Sequence, residues 1–446
     1  MGLVLGAIPG RSPKPVLPDV VVISIDTLRA DRCSLYGSPR TTTPFLQELA
    51  KRAVVFETAY PTSSWTPPSM ASLFTGLPPR AHGVVKGTIR DGKAFNQELL
   101  DNGFTTFAEA FLAAGYQTVG ISSNAHLAKR TGFAQGFETF RELPWQDASA
   151  IGIAARELVA ARKPGKPLLL WLHYFDPHNP YRAHERWIGA ASSDRVEVDA
   201  QLLERFAGAD QRDLLQAARE STDRVRMKEA LFALYDSEIA YVDSELRTLF
   251  RELPIKPDAL VAITSDHGES IMDHGWIGHG RSLYEAETRV PLLIRPPGGT
   301  TESRVSRPVS NLDLFATLVE QAGIPRPPQL KRPSLLTVPA TPQPVMLELN
   351  RDTLDHAAVR AGRYKLYRRF APRQTIELFD IEADPREQRN LAASDPATRA
   401  RLGDLWTQWT EAWPRFTAAQ KVTDPQDPEL IERLRSLGYV DGGEEQ

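Results

Sequence analysis

A nearly uninterrupted apolar run, Val20–Ile25, constrains the fold of this chain more than any other feature. The run shows no alternation between apolar and polar residues, so both of its faces must be covered. Strands of this kind occupy the interior of parallel sheets that carry helices on both faces. The run therefore predicts an α/β sheet, and it ends at Asp26, which places a carboxylate at the carboxyl end of the strand.

Predicted helices and strands alternate through most of the chain, which is typical of a wound α/β sheet. The predicted helices cover residues 45–53, 107–114 and 223–253, and the further strands cover residues 118–122, 168–174, 259–264 and 291–294. The longest helix carries an apolar stripe that would cover the sheet. Open α/β sheets place their sites at the carboxyl ends of the strands, so we expect the functional residues there.

A proline-rich stretch divides the chain into a large and a small part. We expect a flexible lead-in at residues 1–18, a catalytic α/β domain at 19–324, a connection at 325–344 and a small α+β subdomain at 345–446. Within the last part, short strands are predicted at residues 345–349, 358–366 and 375–381, followed by an amphipathic helix at 397–413.

Charge and composition exclude some classes of partner and leave other questions open. The 53 Lys and Arg residues are balanced by 56 Asp and Glu residues, so there is no basic field for nucleic acid or an anionic membrane. The apolar opening is too short to span a bilayer and has no charged leader, so we expect no integral membrane segment. The sequence does not decide whether the protein is cytoplasmic or a trimmed exported form, nor whether it is a monomer or an oligomer.

Two strand ends carry residues that suit a metal ion. Asp26 follows the first strand, and Asp266 with His267 follows a later one. Two carboxylates and an imidazole suit Mn²⁺, Zn²⁺, Mg²⁺ or Ca²⁺. Each residue taken alone also has a structural interpretation, as a helix cap or as a hydrogen-bonded pair.

Thr66 stands where a nucleophile would be activated by local structure. Pro67 and Pro68 stiffen a turn that opens a short helix ending near Gly76. A hydroxyl at the positive end of that helix would be favoured in its deprotonated form, and a bound anion would be stabilised there. The alternative is that Thr66 serves only as the N-cap.

Ordered motifs along the whole chain resemble one family. They are residues 25–31 (IDTLRAD), 66–76 (TPPSMASLFTG, against C/S-x-P-S-R-x-x-x-x-T-G), 80–84 (RAHGV), 173–181 (HYFDPHNPY), 265–269 (SDHGE) and 377–381 (ELFDI). Together they resemble the sulfatase family of the alkaline-phosphatase superfamily. The resemblance implies a large domain with a mainly parallel sheet between helices, and a small C-terminal α+β subdomain.

The resemblance also assigns roles to residues. Asp26, Asp266 and His267 become metal ligands, and Thr66 becomes a nucleophile that also touches the metal. His178 would bind the substrate or protonate the leaving group. Two further residues are candidates for binding the anionic substrate, His82 and Arg281. For His82, a loop histidine with a purely structural role is an equal alternative.

Three departures from the family pattern decide the expected chemistry. Sulfatases convert a Cys or Ser at the nucleophile position into the aldehyde formylglycine, and Thr66 cannot become that aldehyde. An ester formed on Thr66 would have to be cleaved by water at phosphorus or sulfur. The motif arginine is replaced by Met70 and an anion-binding lysine by His279, so two fixed positive charges are missing.

The histidine at the lysine position permits two interpretations. His279 could join Asp176 and His178 as ligands of a second metal in a two-metal site for phosphoryl transfer. Alternatively, His279 is a catalytic or substrate-binding residue and Asp176 braces a loop. The number of bound metal ions distinguishes the two.

The sequence therefore predicts a metal-dependent hydrolase of a small-molecule or headgroup anionic ester. Phosphate diesters, phosphonate monoesters or related phosphate esters are the expected substrates, with sulfate esters as a lesser activity. Three alternatives remain: a sulfatase that uses unmodified threonine, a headgroup transferase, and a pseudoenzyme that binds its ligand without turnover.

Overall fold

A computed structural model describes residues 17–85, 87–90, 94–188, 199–351, 353–416 and 421–424 of the chain. The lead-in predicted at residues 1–18 lies outside these ranges apart from its last two residues. The end of the predicted C-terminal subdomain, residues 425–446, also lies outside them.

The described residues form strands and helices in an order that alternates through the first part of the chain. The strands are β1 (Val20–Ile25), β2 (Val54–Phe56), β3 (Ala59–Tyr60), β4 (Gly87–Arg90), β5 (Ala94–Glu98), β6 (Gln117–Ser122), β7 (Thr139–Glu142), β8 (Leu168–Tyr174), β9 (Leu260–Ser265), β10 (Ser270–Asp273), β11 (Trp276–Gly278), β12 (Leu292–Arg295), β13 (Ser303–Val305), β14 (Val309–Ser310), β15 (Val345–Arg351), β16 (Leu354–Ala361), β17 (Tyr364–Ala371), β18 (Thr375–Asp380) and β19 (Lys421–Asp424). The α-helices are α1 (Pro44–Ala50), α2 (Thr66–Thr75), α3 (Pro79–His82), α4 (Phe107–Ala113), α5 (Ala148–Ala160), α6 (Glu185–Ile188), α7 (Ala200–Phe206), α8 (Gln211–Glu220), α9 (Arg224–Glu252), α10 (Glu285–Thr288), α11 (Leu314–Ala322) and α12 (Pro396–Ala412). Short 3-10 helices lie at Ala30–Arg32, Ser34–Tyr36, Lys129–Thr131 and Asn311–Asp313.

An eight-stranded sheet forms the centre of the larger part, in the order β13-β2-β12-β9-β1-β8-β6-β7. Strands β9, β1, β8, β6 and β7 run parallel to one another, whereas β12 is antiparallel to both β9 and β2. The predicted first strand is confirmed at Val20–Ile25, and it lies between β8 and β9. Its position in the interior of the sheet explains why the run contains no polar face.

Helices cover both faces of this sheet. Alternate residues of β1 enter different cores, Val21 and Ile23 on one side and Val20 and Val22 on the other. The first core includes apolar residues of α1, α5 and α9, and the second includes those of α2, α4 and α11. The predicted wound α/β architecture is confirmed. None of the helices in the described ranges is both long enough and apolar enough to cross a bilayer.

The C-terminal part is an antiparallel sheet with the order β15-β16-β17-β18, and α12 packs on one of its faces. Leu402 and Trp409 of the helix share a core with Met346 of β15. The prediction of a single strand at 358–366 is wrong, because the chain turns at Gly362, which has φ +59° and separates β16 from β17.

The proline-rich stretch at 325–344 contains no helix or strand. It is nevertheless fixed to the larger part of the molecule. Leu330 and Leu335 are buried in the core that contains α2 and α11. The side-chain amide of Gln329 donates to the carbonyls of Thr75 and Thr105. These contacts hold the connection against the larger part of the molecule.

Candidate active site

Asp26 and Asp266 lie side by side because of strand register. Ile25 pairs with Ser265 across the parallel strands β1 and β9, so the next residue of each strand leaves the sheet at the same edge. The backbone N–H of Asp26 donates to the carbonyl of Tyr174 on the other neighbour, β8, at 2.9 Å. Both carboxylates are fully buried.

The imidazole of His267 completes a set of metal ligands. Its Nε2 lies 3.6 Å from Oδ1 of Asp26 and 3.4 Å from Oδ2 of Asp266. Its Nδ1 donates to the carbonyl of Gly268 at 2.9 Å, so Nε2 presents a lone pair to the two carboxylates. One ligand atom from each of the three residues lies within 4.8 Å of the other two.

These three ligand atoms suit a divalent cation because two of them are buried carboxylate oxygens without a hydrogen-bond partner. Oδ1 of Asp26 and Oδ2 of Asp266 are buried without a hydrogen-bond partner. Buried carboxylate oxygens normally have partners, and a lone pair facing two such oxygens is repulsive unless a cation lies between them. Among the described residues, this is the one group of three or more His, Cys, Asp and Glu side chains so arranged.

The two carboxylates differ in their protonation behaviour. Burial by itself raises the pKa of Asp26, but a hydrogen bond from His173 and the nearby charge of His178 outweigh burial and lower the pKa to about 2. Burial, and then the charge of Asp26, raise the pKa of Asp266 well above its usual range. Two carboxylates so close together ionise fully only when a cation compensates them.

Thr66 is the first residue of α2, and its side chain faces this ligand set. Its Oγ1 lies 3.2 Å from Nε2 of His267. The N-cap of α2 is Trp65, whose side chain makes no capping hydrogen bond. The alternative that Thr66 serves as the N-cap is therefore wrong. Ser69, in the first turn, donates from Oγ to the carbonyl of Asp266 at 2.6 Å and fixes the start of the helix against the strand end.

Asn124 belongs to the site although the sequence analysis missed it. Its Nδ2 donates to Oδ2 of Asp26 at 2.6 Å and to Oγ1 of Thr66 at 3.5 Å. Asn124 follows β6 by two residues, so the rule that identified Asp26 would also have identified it. His173 was quoted only as part of a motif, yet its ring lies between Oγ of Ser24 at 2.8 Å and Oδ2 of Asp26 at 3.4 Å.

Three imidazoles lie in a row along the edge of the site. The ring centroids of His267 and His279 are 4.4 Å apart, and those of His279 and His178 are 5.0 Å apart. A second residue missed from the sequence, Glu269, holds Nδ1 of His279 with Oε1 at 3.0 Å. Burial, followed by the charges of His267 and His178, lowers the pKa of His279 well below its usual value. His279 is therefore neutral in the ligand-free protein.

The structure does not assemble the second metal site predicted from Asp176, His178 and His279. The carboxylate of Asp176 accepts from the backbone N–H of Ala148 at 2.7 Å, at the start of α5. It faces Glu238 and Arg182. The two-metal prediction is corrected, because the carboxylate is directed to a helix terminus, and the alternative in which Asp176 braces a loop describes its contacts.

His82 is engaged on both ring nitrogens. Its Nδ1 accepts from the backbone N–H of Val84 at 3.1 Å, so Nε2 carries the proton and faces Oγ of Ser72 at 3.0 Å. Burial lowers the pKa of His82 to about 3. These contacts leave no ring nitrogen for a substrate, so the prediction of substrate binding by His82 gives way to its structural alternative.

The other two positions of interest also lie apart from the ligand set. Arg281 is exposed, with its guanidinium carbon 4.9 Å from the ring centroid of Trp276. It lines a cavity together with His274 and Tyr284, so its role in substrate binding stays a prediction. Met70 is fully buried in an apolar core of the sheet, and the position of the missing motif arginine therefore supplies no charge to the site.

Comparison with known proteins assigns the chain to a family. The model for sulfatases matches residues 18–324, more than half of the 446-residue chain. The chain therefore belongs to the sulfatase family. The model for the C-terminal part of N-sulphoglucosamine sulphohydrolase matches residues 272–410. Family membership makes the chain a hydrolase that acts on ester bonds.

Individual relatives cover nearly the whole chain at low identity. The Δ4,5-hexuronate-2-O-sulfatase of Bacteroides thetaiotaomicron is 26% identical over 438 residues, covering 89% of this chain and 88% of the relative. A structure solved with its substrate D-glucosamine-2-N,6-O-disulfate has a TM-score of 0.73 at 18% identity, covering 89% of this chain and 98% of that one. The phosphonate monoester hydrolase of Agrobacterium radiobacter has a TM-score of 0.67 at 20% identity, covering 92% and 100%. The two structures establish a shared fold.

Proposed function

We propose that this chain hydrolyses phosphate diesters, phosphonate monoesters or related phosphate esters, with Thr66 as the nucleophile. One observation carries the proposal. Oγ1 of Thr66, a hydroxyl that cannot be converted into formylglycine, lies 3.2 Å from Nε2 of His267, and this nitrogen faces two carboxylate oxygens that have no hydrogen-bond partner. A nucleophile and a set of ligands for a divalent cation thus share one buried space.

Asp26, Asp266 and His267 are the residues that would hold the cation, and Oγ1 of Thr66 is within reach of the same place. When bound there, a divalent cation supplies a Lewis acid that stabilises charge on the ester oxygens and lowers the pKa of a coordinated hydroxyl. Mn²⁺, Zn²⁺, Mg²⁺ and Ca²⁺ all accept this donor set.

The protein itself favours attack by Thr66 in two ways. The hydroxyl lies at the N-terminus of the ten-residue helix α2, whose partial positive charge stabilises both an alkoxide and the anionic group under attack. Asn124 donates to both Oγ1 of Thr66 and Oδ2 of Asp26, and so orients the nucleophile relative to the ligands. Attack forms an ester bond between Thr66 and phosphorus while the alcohol leaves.

The second half of the reaction explains the preference for phosphorus. Threonine has no aldehyde hydrate through which an ester could collapse, so water must displace Thr66 at the phosphorus atom. Phosphoesterases complete their cycle by such a displacement. The fold accommodates the chemistry, since a phosphonate monoester hydrolase shares it with a TM-score of 0.67.

His279 is suited to deliver the proton that the leaving oxygen requires. Glu269 holds its Nδ1, and the ring centroid of His279 lies 4.4 Å from that of His267 and 5.0 Å from that of His178. The ring is neutral while the site is empty of substrate, and an anionic ester raises the pKa of an adjacent imidazole. His178, whose Nδ1 faces the carbonyl of Asn179, is the neighbouring candidate for binding the substrate.

Parallel steady-state kinetics on metal-stripped protein refilled with a single cation test the proposal. The substrates are an aryl phosphate monoester, a diester, an aryl phosphonate monoester and an aryl sulfate, and the control is Thr66→Ala. We expect a phosphorus ester to lead in kcat/KM by about a hundredfold or more over the sulfate, with turnover lost in the variant.

A second function, sulfate ester hydrolysis through unmodified threonine, is favoured by the sulfatase relative that covers 89% of the chain. In the same assay, a lead for the aryl sulfate that depends on Thr66 would establish this function instead. Metal binding without turnover of any of the esters would support the pseudoenzyme alternative.

A further inference from the structure

An anionic ester bound at Thr66 needs positive charge that the usual family positions do not provide here. Met70 is enclosed in an apolar core, and His279 stands where the family pattern has a lysine. An anion buried without a compensating positive charge is strongly destabilised. A cation from another part of the fold would resolve this deficit.

Strand β15 of the C-terminal sheet brings such a cation to the site. The backbone N–H of Glu348 donates to the carbonyl of Thr62 at 2.8 Å, which docks the strand on the segment leading to Thr66. Leu347 and Leu349 share a core with Trp65. Because side chains alternate along a strand, Arg351 continues the same face toward Trp65.

The guanidinium of Arg351 lies between the two segments that carry the nucleophile and the proton donor. Its carbon is 5.0 Å from the ring centroid of Trp65, next to Thr66. On the other side is Gly280, next to His279, where an added Cβ would lie 2.6 Å from Nη1 of Arg351 and 3.2 Å from Cβ of Trp65. Glycine at position 280 thus leaves the space that the guanidinium occupies.

Two properties distinguish this arginine from an ordinary surface charge. The residue is only 5% exposed. Its guanidinium also lies against both Trp65 and Gly280, the chain neighbours of Thr66 and His279. Arg351 is therefore close enough to the site to act on a bound anion.

We propose that Arg351 binds the anionic group of the substrate and replaces the positive charges missing at positions 70 and 279. The planar guanidinium presents two parallel N–H groups to two oxygens of one phosphoryl or sulfuryl group, an arrangement that a lysine cannot reproduce. The inference rests on the proposed function for the location of the ester, at Thr66, but the binding of an anion can be measured without turnover.

The test is calorimetric titration of Mn²⁺-loaded protein with inorganic phosphate. We compare wild type with Arg351→Met and with a matched control, Arg360→Met. Arg360 is also a buried arginine of the C-terminal sheet, but it donates to Tyr60 Oη and to the carbonyls of Gly362 and Tyr364. We expect Arg351→Met to weaken phosphate binding by roughly tenfold or more, and Arg360→Met to change it by less than about twofold.

An affinity of Arg351→Met within about twofold of wild type, at equal metal content, overturns the inference. If the variant does not fold, crystals of the metal-loaded wild type soaked in phosphate decide. The inference requires a guanidinium nitrogen at about 3 Å from a phosphate oxygen, and a bound phosphate without such a direct contact to Arg351 overturns it.

The outcomes of this test and of the kinetic assay are separable. Hydrolysis of a phosphonate ester with unchanged phosphate affinity in Arg351→Met retains the proposed function and rejects the role of Arg351. Turnover of sulfate esters alone, with phosphate or sulfate affinity lost in Arg351→Met, rejects the proposed substrate class and retains the role of Arg351.

Discussion

Oγ1 of Thr66 lies 3.2 Å from Nε2 of His267, on the edge of the ring that faces Asp26 and Asp266. The two residues are 201 positions apart in the chain, and they meet because helix α2 begins against the carboxyl end of β9. Nucleophile and metal ligand are thus neighbours in a buried space.

Replacing Thr66 tests the nucleophile directly. Thr66→Ala removes the hydroxyl, so kcat/KM should fall by roughly 10³-fold or more, whereas Thr66→Ser keeps the hydroxyl and should stay within about tenfold of wild type. Steady-state kinetics measure both, and mass spectrometry of acid-quenched wild type should detect phosphate on Thr66. Residual activity in the alanine variant close to wild type would refute nucleophilic catalysis by this residue.

Removal of the metal should abolish activity, and its stoichiometry should be about one ion per chain. Chelator-treated protein should regain activity on addition of Mn²⁺ or Zn²⁺, and Asp266→Asn should lose most of its bound metal because one ligand oxygen is gone. Asp176→Asn is the control, since Asp176 lies at a helix terminus, and its metal content should match wild type. Elemental analysis giving two ions per chain in wild type would contradict the single-site geometry.

Asn124 should be required for the rate of the reaction more than for metal binding. Asn124→Ala removes the donor to Thr66 and Asp26, so kcat should fall by about 10²-fold, the magnitude typical of a lost hydrogen bond to a reacting group. Metal content should change little, because Asp26, Asp266 and His267 remain. An unchanged kcat would show that the 3.5 Å contact to Thr66 has no catalytic role.

His82 should affect stability at acid pH rather than the affinity for substrate. Its pKa is about 3 in the folded protein and about 6.5 when unfolded, so the unfolded chain takes up the proton first. The free energy of unfolding should therefore fall as the pH drops below 6.5, by about 1.4 kcal/mol per pH unit from this residue.

Urea denaturation at pH 7 and pH 5 measures this effect. The loss between the two pH values should be about 2 kcal/mol smaller in His82→Gln than in wild type, because glutamine does not titrate. The KM of the variant at pH 7 should equal that of wild type. A KM raised more than about tenfold, without any change in the pH dependence of stability, would restore the substrate-binding role.

Glu269 should affect catalysis through His279. The effect of replacing Glu269 on the rate should therefore depend on how much the leaving group needs a proton. Glu269→Gln weakens the support for a protonated His279, so hydrolysis of an ester with a poor leaving group should slow by about 10²-fold or more. An ester that releases nitrophenol needs little proton donation and should slow by less than about tenfold. Equal losses for both esters would indicate a structural role for the pair.

Local patterns in the sequence were sufficient to predict several parts of the site. Asp26 and Asp266 were predicted because each directly follows a buried apolar run, and parallel strands end at one edge of a sheet. Thr66 was predicted because two prolines mark a helix start. The limits of the hairpin at Gly362 were missed, because a two-residue turn leaves little trace between two apolar segments.

The remaining features depend on which distant segments pack together. Sequence similarity to a motif placed Asp176 and His82 in the site. In the structure, the carboxylate of Asp176 lies at the start of α5, and the ring of His82 is bonded to Ser72 and Val84. Pattern and spacing give the location of a residue along the chain, whereas the direction of its side chain depends on the partners that surround it.

The sequence by itself predicted the sheet and the edge at which the site lies from periodicity, and the candidate ligands and the threonine nucleophile from motifs that resemble a family. Only the tertiary structure brought Asn124 to Thr66, and Arg351 to Trp65 and Gly280. Asn124 and Thr66 are 58 residues apart in the chain, and Arg351 lies farther still from Trp65, so the packing of β6 and β15 against the start of α2 decides these contacts.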